Sequence, residues 1–353
     1  MNKSCYNHKN IVLVIDSFNH GGIQQVYKVL IDEYVKMFDS VTLIIIQGSI
    51  SDLKYKNYPN LIVKKLNAKR FLDLKSILRL RKIIKLSKPE IIITSIFRAQ
   101  IWTALVKPKY SNLIWMEQNV YKHRGKFQWL LMRLVSARVK KIIAVCNECK
   151  DLTKIKLKRD ASVIPNPLTF KLSKPKVASR LDDFVFIGRL VAQKNPELAI
   201  QSFAEFLKSY QTKSYLHIVG DGVLINSLKS LAETLGIKNF CLFYGWIDNL
   251  EVNKLLSKCK TLVSTSNFGG MEIVRLEALA SGCTVVTTNT GGTHFFTTKI
   301  DVGFKVINPD PKKFAKNMYE SLDKKYWTQE MLNQRFLVSK RFNSELIALE
   351  ILT

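Results

Sequence analysis

The chain is 353 residues long, 47% of them hydrophobic, with a mean hydropathy near zero, which indicates a globular fold rather than a disordered chain. That length favours two domains over one core. No apolar run reaches the length of a membrane-spanning helix, and the first run ends in Asp16. We therefore expect a first strand rather than a signal peptide, and a cytoplasmic protein.

Positive charge is concentrated in the first half of the chain, which has a net charge of +27 overall. Residues 1–170 contain 31 Lys and Arg against 11 Asp and Glu, whereas residues 171–353 contain 24 against 17. This asymmetry predicts contact with a polyanionic surface. Because no nucleic-acid-binding module is recognisable, we expect an anionic membrane and no nucleic acid. The alternative is compositional drift, since the chain has 42 lysines and 13 arginines.

Short β-branched runs alternate with helical segments in the first half, which predicts a parallel sheet covered by helices. The predicted strands are Ile11–Ile15, Val41–Ile46, Leu61–Leu66, Ile91–Thr94, Leu113–Met116 and Lys141–Val145. A helix is predicted directly after Gly21-Gly22. Ligands of such sheets bind beyond the carboxyl ends of the strands, so His20 and Gly22 are candidate site residues.

Two basic segments, Phe71–Leu86 and Tyr121–Lys141, combine cations with aliphatic and aromatic residues. In the first, the helical period predicts an apolar side made of Leu74, Ile77, Leu78 and Ile84. Its lysines and arginines are expected mostly on the other side. Such a mixture is typical of a helix on an anionic membrane surface. The alternative is that both apolar sides pack on the sheet and leave solvated basic faces.

A break in this pattern predicts a domain boundary. The prolines of Ile164–Pro167 interrupt any helix, and Lys171–Arg180 is polar and without periodicity, as in a linker. The alternation then restarts, with predicted strands Phe184–Ile187, Tyr215–Val219, Cys241–Phe243, Thr261–Ser264 and Thr284–Thr287. We expect two doubly wound α/β domains, residues 1–170 and 171–335, facing a central cleft. Residues 336–353 are expected to form a helix that packs back on the first domain.

Three strand ends in the second half carry candidate ligand-binding residues. Gly188-Arg189 ends one strand and Lys194 follows, and two cations suit a diphosphate, unless they belong to an ordinary solvated loop. Gly220 permits either close approach to a ligand or a tight turn. Trp246 offers a flat surface for a base or packs in the domain.

The segment Ser264–Val286 is the most informative part of the chain. A glycine turn, Gly269-Gly270, precedes a helix that starts near Ile273 and stops at Gly282. The N–H groups of a helix start form an anion site. Glu277, one turn into the helix, is placed to bind sugar hydroxyls. Together these features predict a nucleotide-sugar site.

In order and spacing, these motifs resemble those of GT-B glycosyltransferases of the family 4 type, retaining enzymes that use nucleotide-activated sugars. The resemblance rests on Phe186–Arg189 with Lys194, Val219–Gly222, Phe243–Gly245 and Gly270 through Gly282. It implies two Rossmann-like domains that face a cleft, with the donor in the C-terminal domain and the acceptor in the N-terminal one.

The resemblance also implies roles for single residues. Arg189 and Lys194 would bind the donor pyrophosphate and stabilise the departing nucleoside diphosphate, which makes them catalytic and replaces a metal, so neither metal nor cofactor is expected. Glu277 would bind the ribose. The remaining donor-binding positions would be Gly22, Gly188, Gly220, Trp246, Gly270, Met271, Ile273 and Val274.

Two positions depart from the family pattern. A carboxylate usually lies eight residues before the position of Glu277, but Gly269 is found there. Glu272 is the candidate catalytic substitute. A histidine often follows the position of Glu117, on the sugar and acceptor side, but here it is Gln118, which hydrogen-bonds a hydroxyl and does not take a proton at neutral pH.

The expected activity is therefore transfer of a hexosyl or N-acetylhexosaminyl group from a nucleotide sugar, preferentially a UDP-sugar, to a glycan acceptor. A lipid-linked acceptor in bacterial surface polysaccharide, capsule or lipopolysaccharide synthesis is favoured, with the enzyme on the inner face of the cytoplasmic membrane. One alternative is a catalytically weak GT-B subunit that binds a nucleotide sugar or a partner enzyme. Another is a nucleotide-sugar epimerase, which the set of Arg189, Lys194 and Glu277 disfavours.

The remaining candidates for chemistry are two cysteines and a histidine. Cys146 and Cys149 form a CxxC pair with no second pair or histidine cluster to complete a zinc site, so we expect structural thiols. His294 follows a glycine turn and is a secondary candidate, because a lone histidine is more often structural.

Overall fold

The computed structural model describes residues 9–18, 21–48, 58–120, 124–170, 174–175, 180–297 and 303–353. The chain divides into two compact units, Met1–Thr169 with Ser344–Thr353, and Phe170–Asn343. Most of the predicted linker, Lys171–Arg180, lies outside the described residues. The expected return of the chain at residue 336 is placed too early, since residues 336–343 belong to the second unit.

Parallel strands form one sheet in each unit. Those of the first unit are β1 (Asn10–Ile15), β2 (Ser40–Ile45), β3 (Leu61–Lys65), β4 (Ile91–Ser95), β5 (Asn112–Glu117), β6 (Lys141–Ala144) and β7 (Ser162–Val163). Those of the second are β8 (Leu181–Ile187), β9 (Leu216–Val219), β10 (Cys241–Gly245), β11 (Cys259–Ser264), β12 (Thr284–Thr288) and β13 (Gly303–Val306).

Helices connect the strands of each unit. Those of the first half are α1 (Gly22–Tyr34), α2 (Leu74–Ser87), α3 (Phe97–Val106), α4 (Lys126–Ser136) and α5 (Asn147–Leu157). Those that follow are α6 (Pro196–Tyr210), α7 (Ile225–Thr234), α8 (Asn249–Lys258), α9 (Ile273–Ala280), α10 (His294–Thr297), α11 (Pro311–Glu320), α12 (Gln329–Lys340) and α13 (Ser344–Leu352). Within the described residues, no helix is both long enough and apolar enough to cross a membrane.

The strand orders are those of doubly wound sheets. The first sheet runs β3-β2-β1-β4-β5-β6-β7 and the second β10-β9-β8-β11-β12-β13, with every pairing parallel. The fold class predicted from the sequence is confirmed. Because all strands of a sheet are parallel, the loops that follow them meet at one edge.

The sequence explains why these strands form. The central strands β1 and β4, NIVLVI and IIITS, are rich in β-branched residues and almost wholly buried, as expected of strands covered on both faces. Two strands were not predicted. β7 has only two residues, and the edge strand β13, GFKV, combines a glycine and an exposed lysine in a half-buried segment that lacks the apolar signal.

Polar caps and prolines define several helix starts. The Asp73 side chain accepts a hydrogen bond from the backbone N–H of Ser76 at 3.0 Å and caps α2. Asn195 caps α6, and Pro196 occupies its first turn, where a missing N–H costs nothing. Gly282, at φ +88°, follows α9 as the sequence predicts.

The last helix, α13, belongs to the first unit and packs on α1. Tyr34 donates its hydroxyl to the carbonyl oxygen of Ala348 at 3.3 Å, and Ser344 donates to the carboxylate of Glu33 at 2.7 Å. Ile347 and Ile351 are buried. The C-terminal helix α13 therefore lies beside α1 among the helices of the first unit.

Candidate functional site

Apart from Gly22, the predicted donor residues lie in loops at the carboxyl edge of the second sheet and in helix α9, which follows one of them. The loop after β8 is held against the loop after β11 by paired hydrogen bonds. Asn267 donates its backbone N–H to Gln193 O at 2.9 Å, and the Gln193 side chain donates to Phe268 O at 3.2 Å. Thr265 donates its hydroxyl to Asn195 O at 2.7 Å. These bonds bring Lys194, between them, to the start of α9.

Glu272 lies at the N-cap position of α9 and pairs with two cations. Lys194 donates its ammonium to Oε1, while Arg275 donates Nε and Nη2 to Oε2 at 3.0 and 2.9 Å. Ser264 donates to Oε2 and Ser266 to Oε1. Both carboxylate oxygens are thus occupied by donors of the protein itself.

Burial and charge act in opposite directions on this carboxyl group. Burial disfavours the ionised form, but the charges of Lys194 and Arg275 and the hydrogen bonds from Lys194 and Ser264 outweigh it and hold the pKa of Glu272 well below its ordinary range. The Arg275 side chain has no exposed surface, whereas that of Lys194 is 22% exposed. Lys194 is therefore the cation of this cluster that a ligand reaches.

Arg189 and Trp246 are exposed residues at the same edge of the sheet. Arg189 donates Nη2 to the side chain of Gln193 at 3.2 Å, so its guanidinium stays close to the loop that carries Lys194. Trp246 follows β10 and is 57% exposed. An exposed guanidinium and ammonium on one loop suit a diphosphate, and an exposed indole suits a planar base.

The strand-end glycines have different structural reasons. Gly220 has φ +130°, and a Cβ there would lie 1.9 Å from the carbonyl oxygen of Gly188, so only glycine fits. This contact supports the tight-turn interpretation of Gly220. Gly269 is different, because a Cβ there would meet no atom within 4 Å. The position that lacks the family carboxylate has room for a side chain.

The first turns of α9 present the other predicted donor-binding groups. Gly270 and Met271 are buried, whereas Ile273, Val274 and Glu277 are half-buried. The two half-buried positions of the first turn leave this helix start accessible from the carboxyl edge of the sheet. A helix N-terminus next to exposed cations is suited to bind a phosphate.

In the first unit, polar side chains gather at the carboxyl end of β5. Gln100 donates Nε2 to Glu117 Oε1 at 2.8 Å, and Arg124 lies 3.7 Å from Glu117 Oε2. Gln118 is buried, and its Nε2 has no hydrogen-bond partner among the described residues. Gly22 is the first residue of α1, and His20 lies outside the described residues.

Sequence reasoning missed Arg275 and the hydroxyl groups around it. Arg275 donates Nη1 to Thr293 Oγ1 at 2.9 Å and Nη2 to Thr290 Oγ1 at 2.5 Å, in the turn after β12. A usable signal was present, since Arg275 falls within the inward-facing period of α9, next to Leu276. A charged residue at a core position requires a buried partner.

His294 and the two cysteines of the CxxC pair lie in surroundings that are typical of structural residues. His294 is half-buried, with its ring centroid 4.1 Å from that of Phe295. Cys146 and Cys149 are buried free thiols, with sulfur atoms 3.4 Å apart. The hydrogen bond with Cys146 and, after it, burial raise the pKa of Cys149, which disfavours the reactive thiolate.

The basic helix α2 differs from its predicted arrangement. Leu74 and Leu78 were expected with Ile84 on one apolar side, but they are 71% and 63% exposed, whereas Ile84 is buried. The prediction is wrong for the two leucines, because the buried row of the helix is made of Ser76, Leu80 and Ile84, with Ile77 half-buried beside it. The exposed leucines are interspersed with the cations Lys75, Arg79, Arg81, Lys82 and Lys85.

The same mixture recurs on α4 and beside α2. On α4, Trp129 and Met132 are buried, while the exposed apolar residues are Phe127, Leu130 and Leu134. Beside the start of α2 lies a cavity of about 530 Å³ whose lining includes Lys69, Arg70, Lys75 and Arg79. We use the term leucine-basic face for the exposed residues of α2 together with the exposed residues that line this cavity.

Comparisons with known proteins show which sequences this chain resembles. Residues 170–335 match the family model described as glycosyl transferases group 1. An uncharacterized glycosyltransferase of Methanocaldococcus jannaschii is 32% identical over 108 residues, which span 31% of this chain and only 27% of that protein. GalNAc-alpha-(1->4)-GalNAc-alpha-(1->3)-diNAcBac-PP-undecaprenol alpha-1,4-N-acetyl-D-galactosaminyltransferase of Campylobacter jejuni is 25% identical over 288 residues, or 76% of each chain.

Solved structures agree on the fold. The crystal structure of Anabaena HepE in complex with UDP-glucose has a TM-score of 0.80 with this chain at 16% identity, and 98% of both chains is covered. The GT-B fold predicted from the sequence is confirmed by this similarity and by the strand orders of both sheets.

Proposed function

Because residues 170–335 match the model of the glycosyl transferases group 1, we propose that the chain is a retaining glycosyltransferase that takes its sugar from a nucleotide sugar, most favourably a UDP-sugar. The observation that carries the proposal is the cluster at the carboxyl edge of the second sheet. There the exposed Arg189 and the accessible Lys194 lie on a loop fastened to the start of α9. The UDP-glucose bound by the structurally similar Anabaena protein supports the choice of donor.

In this proposal the second unit binds the donor. Arg189 and Lys194 bind the diphosphate together with the N–H groups of Ile273 and Val274, and Glu277 binds the ribose hydroxyls. Trp246 packs on the base. As the bond between the anomeric carbon and the leaving oxygen breaks, negative charge grows on the nucleoside diphosphate. The two cations stabilise that charge in the role that a metal fills elsewhere.

The acceptor hydroxyl attacks the anomeric carbon from the side of the leaving group. A new bond forms between the acceptor oxygen and the anomeric carbon, and the leaving phosphate oxygen takes the acceptor proton. Such a step retains the anomeric configuration and needs no protein base, which is consistent with an amide, Gln118, beside Glu117. Gln118 donates a hydrogen bond to a sugar hydroxyl in this proposal.

We propose a lipid-linked glycan as the acceptor and the leucine-basic face as the contact with an anionic membrane. Exposed Leu74 and Leu78 lie among the cations of α2, and Asp73, the carboxylate that lines the cavity, is engaged in capping the helix. This arrangement favours binding to anionic lipid headgroups over simple solvation. The Campylobacter relative acts, by its name, on an undecaprenol-linked glycan. Bacterial surface glycan synthesis is the process that fits both.

The test combines donor binding with transfer. UDP-, GDP- and dTDP-sugars are screened by thermal shift, and the stabilising donor is then assayed for transfer to undecaprenyl-diphosphate-linked glycans. Arg189→Ala is expected to lower kcat/KM by about tenfold to a hundredfold, because a charge-assisted contact to the diphosphate contributes about 1.5–3 kcal/mol. Arg341→Ala, which removes another exposed arginine, is the matched control. Unchanged transfer by Arg189→Ala contradicts the proposal.

A second candidate function is a nucleotide-sugar-binding subunit with little turnover. The observation that favours it is Gly269, which leaves an open space where the family has a carboxylate. The two candidates differ in a direct measurement. A chain that binds a nucleotide sugar but neither hydrolyses nor transfers it under any acceptor condition is the binding subunit.

A further inference from the structure

One carboxylate in the second unit is shared by two cations of very different exposure. Glu272 pairs with Lys194 through Oε1 and with Arg275 through Oε2. The side chain of Arg275 is fully buried, and that of Lys194 is 22% exposed. The three side chains carry a net charge of +1, so the carboxylate neutralises one cation and leaves the equivalent of one positive charge over.

Arg275 is fixed on both sides. Its Nε and Nη2 donate to Glu272, while Nη1 and Nη2 also donate to Thr293 and Thr290. Thr293 is itself anchored, because its hydroxyl donates to Thr290 O at 2.5 Å. A planar guanidinium with this many fixed partners has little freedom to leave the carboxylate. Lys194 holds Glu272 through one flexible ammonium.

We infer that Arg275 is a positioning residue that satisfies Glu272 and so keeps the Lys194 ammonium available for a phosphate of the donor. Without Arg275, Lys194 would be the one cation among the described partners of the buried Glu272 carboxylate. The carboxylate would then hold the Lys194 ammonium more strongly and compete with a phosphate for it. Lys194 would then have to leave an unpaired buried carboxylate to bind a phosphate, which is costly. Arg275 removes that cost.

This inference rests on the proposed function and gives Glu272 a different part in it. Glu272 was expected to replace the missing carboxylate at position 269 and contact the transferred sugar. Its oxygens instead accept hydrogen bonds from Lys194, Arg275 and two serines. It serves as the counter-charge between an accessible lysine and a buried arginine.

The experiment compares UDP with uridine as calorimetric ligands, because only UDP has the diphosphate. Lys194→Met is expected to weaken UDP binding about tenfold and leave uridine binding unchanged, as fits loss of a charge-assisted contact. Arg275→Met is expected to weaken UDP binding severalfold, again without effect on uridine. The Lys194→Met/Arg275→Met double variant is expected to bind UDP no more weakly than Lys194→Met, because Arg275 acts through Lys194.

Rescue distinguishes positioning from general damage. Glu272→Gln, added to Arg275→Met, removes the charge that captures Lys194 and is expected to restore UDP affinity to within about twofold of wild type. Glu272→Gln alone is expected to bind UDP at least as tightly as wild type, since the cluster gains positive charge. Because it keeps Arg275, Glu272→Gln tests the same charge balance if Arg275→Met does not fold, with circular dichroism as the check that the variant is folded.

Some outcomes would overturn the proposed function, and others only the positioning role of Arg275. Failure of the wild type to bind UDP, GDP or dTDP, or no effect of Lys194→Met, overturns the proposed function and this inference with it. A loss with Lys194→Met, combined with additive losses in the double variant or with weaker binding by Glu272→Gln, overturns only the positioning role of Arg275.

Discussion

At the scale of residues, two nearby positions of the site differ: Gly269 is surrounded by open space, whereas the Glu272 carboxylate is fully engaged. Gly269 has room for a side chain where the family resemblance implies a carboxylate. Glu272, three residues on, is buried and committed to Lys194, Arg275 and two serines. Sequence distance alone does not separate these cases, because within three residues the surroundings change from open space around position 269 to a filled set of hydrogen-bond donors around Glu272.

Replacing Gly269 with glutamate is expected to raise the transfer rate about tenfold, because a carboxylate placed there adds a charge-assisted hydrogen bond to the transferred sugar. No steric clash at the new Cβ is expected to lower the free energy of unfolding, since the Cβ meets no atom within 4 Å. Steady-state kinetics and urea unfolding measure both. Gly269→Gln is the matched control, and equal rates for the two variants contradict the role of the charge.

Glu272 predicts a specific acid sensitivity. Its pKa lies below the ordinary value of 4.5 in the folded state, so its ionisation stabilises the fold above about pH 4.5, and that stabilisation is lost as the pH falls further. At pH 7, Glu272→Gln should lower the free energy of unfolding by about 3–5 kcal/mol, because Arg275 is left buried without its counter-charge. Urea unfolding from pH 7 to pH 3 measures the difference.

That difference between wild type and Glu272→Gln should shrink as the pH falls below 4.5. Glu251→Gln serves as control, because Glu251 forms an exposed pair with Lys254 on α8. Its free energy of unfolding should stay within about 0.5 kcal/mol of wild type across the same range. A difference for Glu272→Gln that does not change with pH would contradict the lowered pKa of Glu272.

At the scale of elements, α2 has more apolar residues than the row of residues that it buries can hold. Only Ser76, Leu80 and Ile84 are buried, so leucines remain outside with the cations. Amphipathic period alone does not predict this, because it assigns every leucine near the row to the core. The exposed leucines are what distinguish a membrane-contact helix from an ordinary solvated one.

The double change Leu74→Ser and Leu78→Ser is expected to weaken binding to vesicles of anionic phospholipid by at least about tenfold, since each leucine loses apolar burial in the bilayer interface. Vesicle co-sedimentation measures the effect, and binding should also fall with added salt. Leu250→Ser is the control, because Leu250 is 72% exposed on α8 of the second unit. Equal binding by all variants, or binding insensitive to salt, rules out the leucine-basic face as the membrane contact.

At the scale of the whole molecule, the chain crosses from the first unit to the second and returns. Residues 344–353 are part of the first unit although they follow the whole second unit. The stability of the first unit therefore depends on a segment more than 300 residues away from α1, as the bond from Tyr34 to Ala348 illustrates. Removal of a C-terminal tail is expected to act on the N-terminal sheet.

Ile351→Ala is expected to lower the free energy of unfolding of the first unit by about 2–5 kcal/mol, because the Ile351 side chain is fully buried where α13 packs on the rest of that unit. The fluorescence of Trp102, Trp115 and Trp129, which lie in the first unit, is one readout during urea unfolding, after replacement of the other tryptophans by phenylalanine. Leu346→Ala, at a residue 59% exposed on the same helix, should change the free energy by less than about 0.5 kcal/mol. Similar effects of the two variants contradict the docking of α13.

The sequence by itself determined the doubly wound fold class, the predicted strands, the loop that carries Arg189 and Lys194, and the helix that carries Glu277. These features depend on local signals: β-branched runs, helix periods and glycine turns act over a few neighbouring residues. Edge strand β13 was missed because half-buried strands have only a weak apolar signal.

Only the tertiary structure decided which charges meet and which leucines stay outside. Glu272 is joined to Lys194, 78 residues away, and Arg275 to the turn after β12. The exposure of Leu74 likewise depends on what the rest of the unit leaves uncovered. These outcomes follow from long-range packing, which assigns partners to buried charges and a place to each helix face, and no local pattern contains that information.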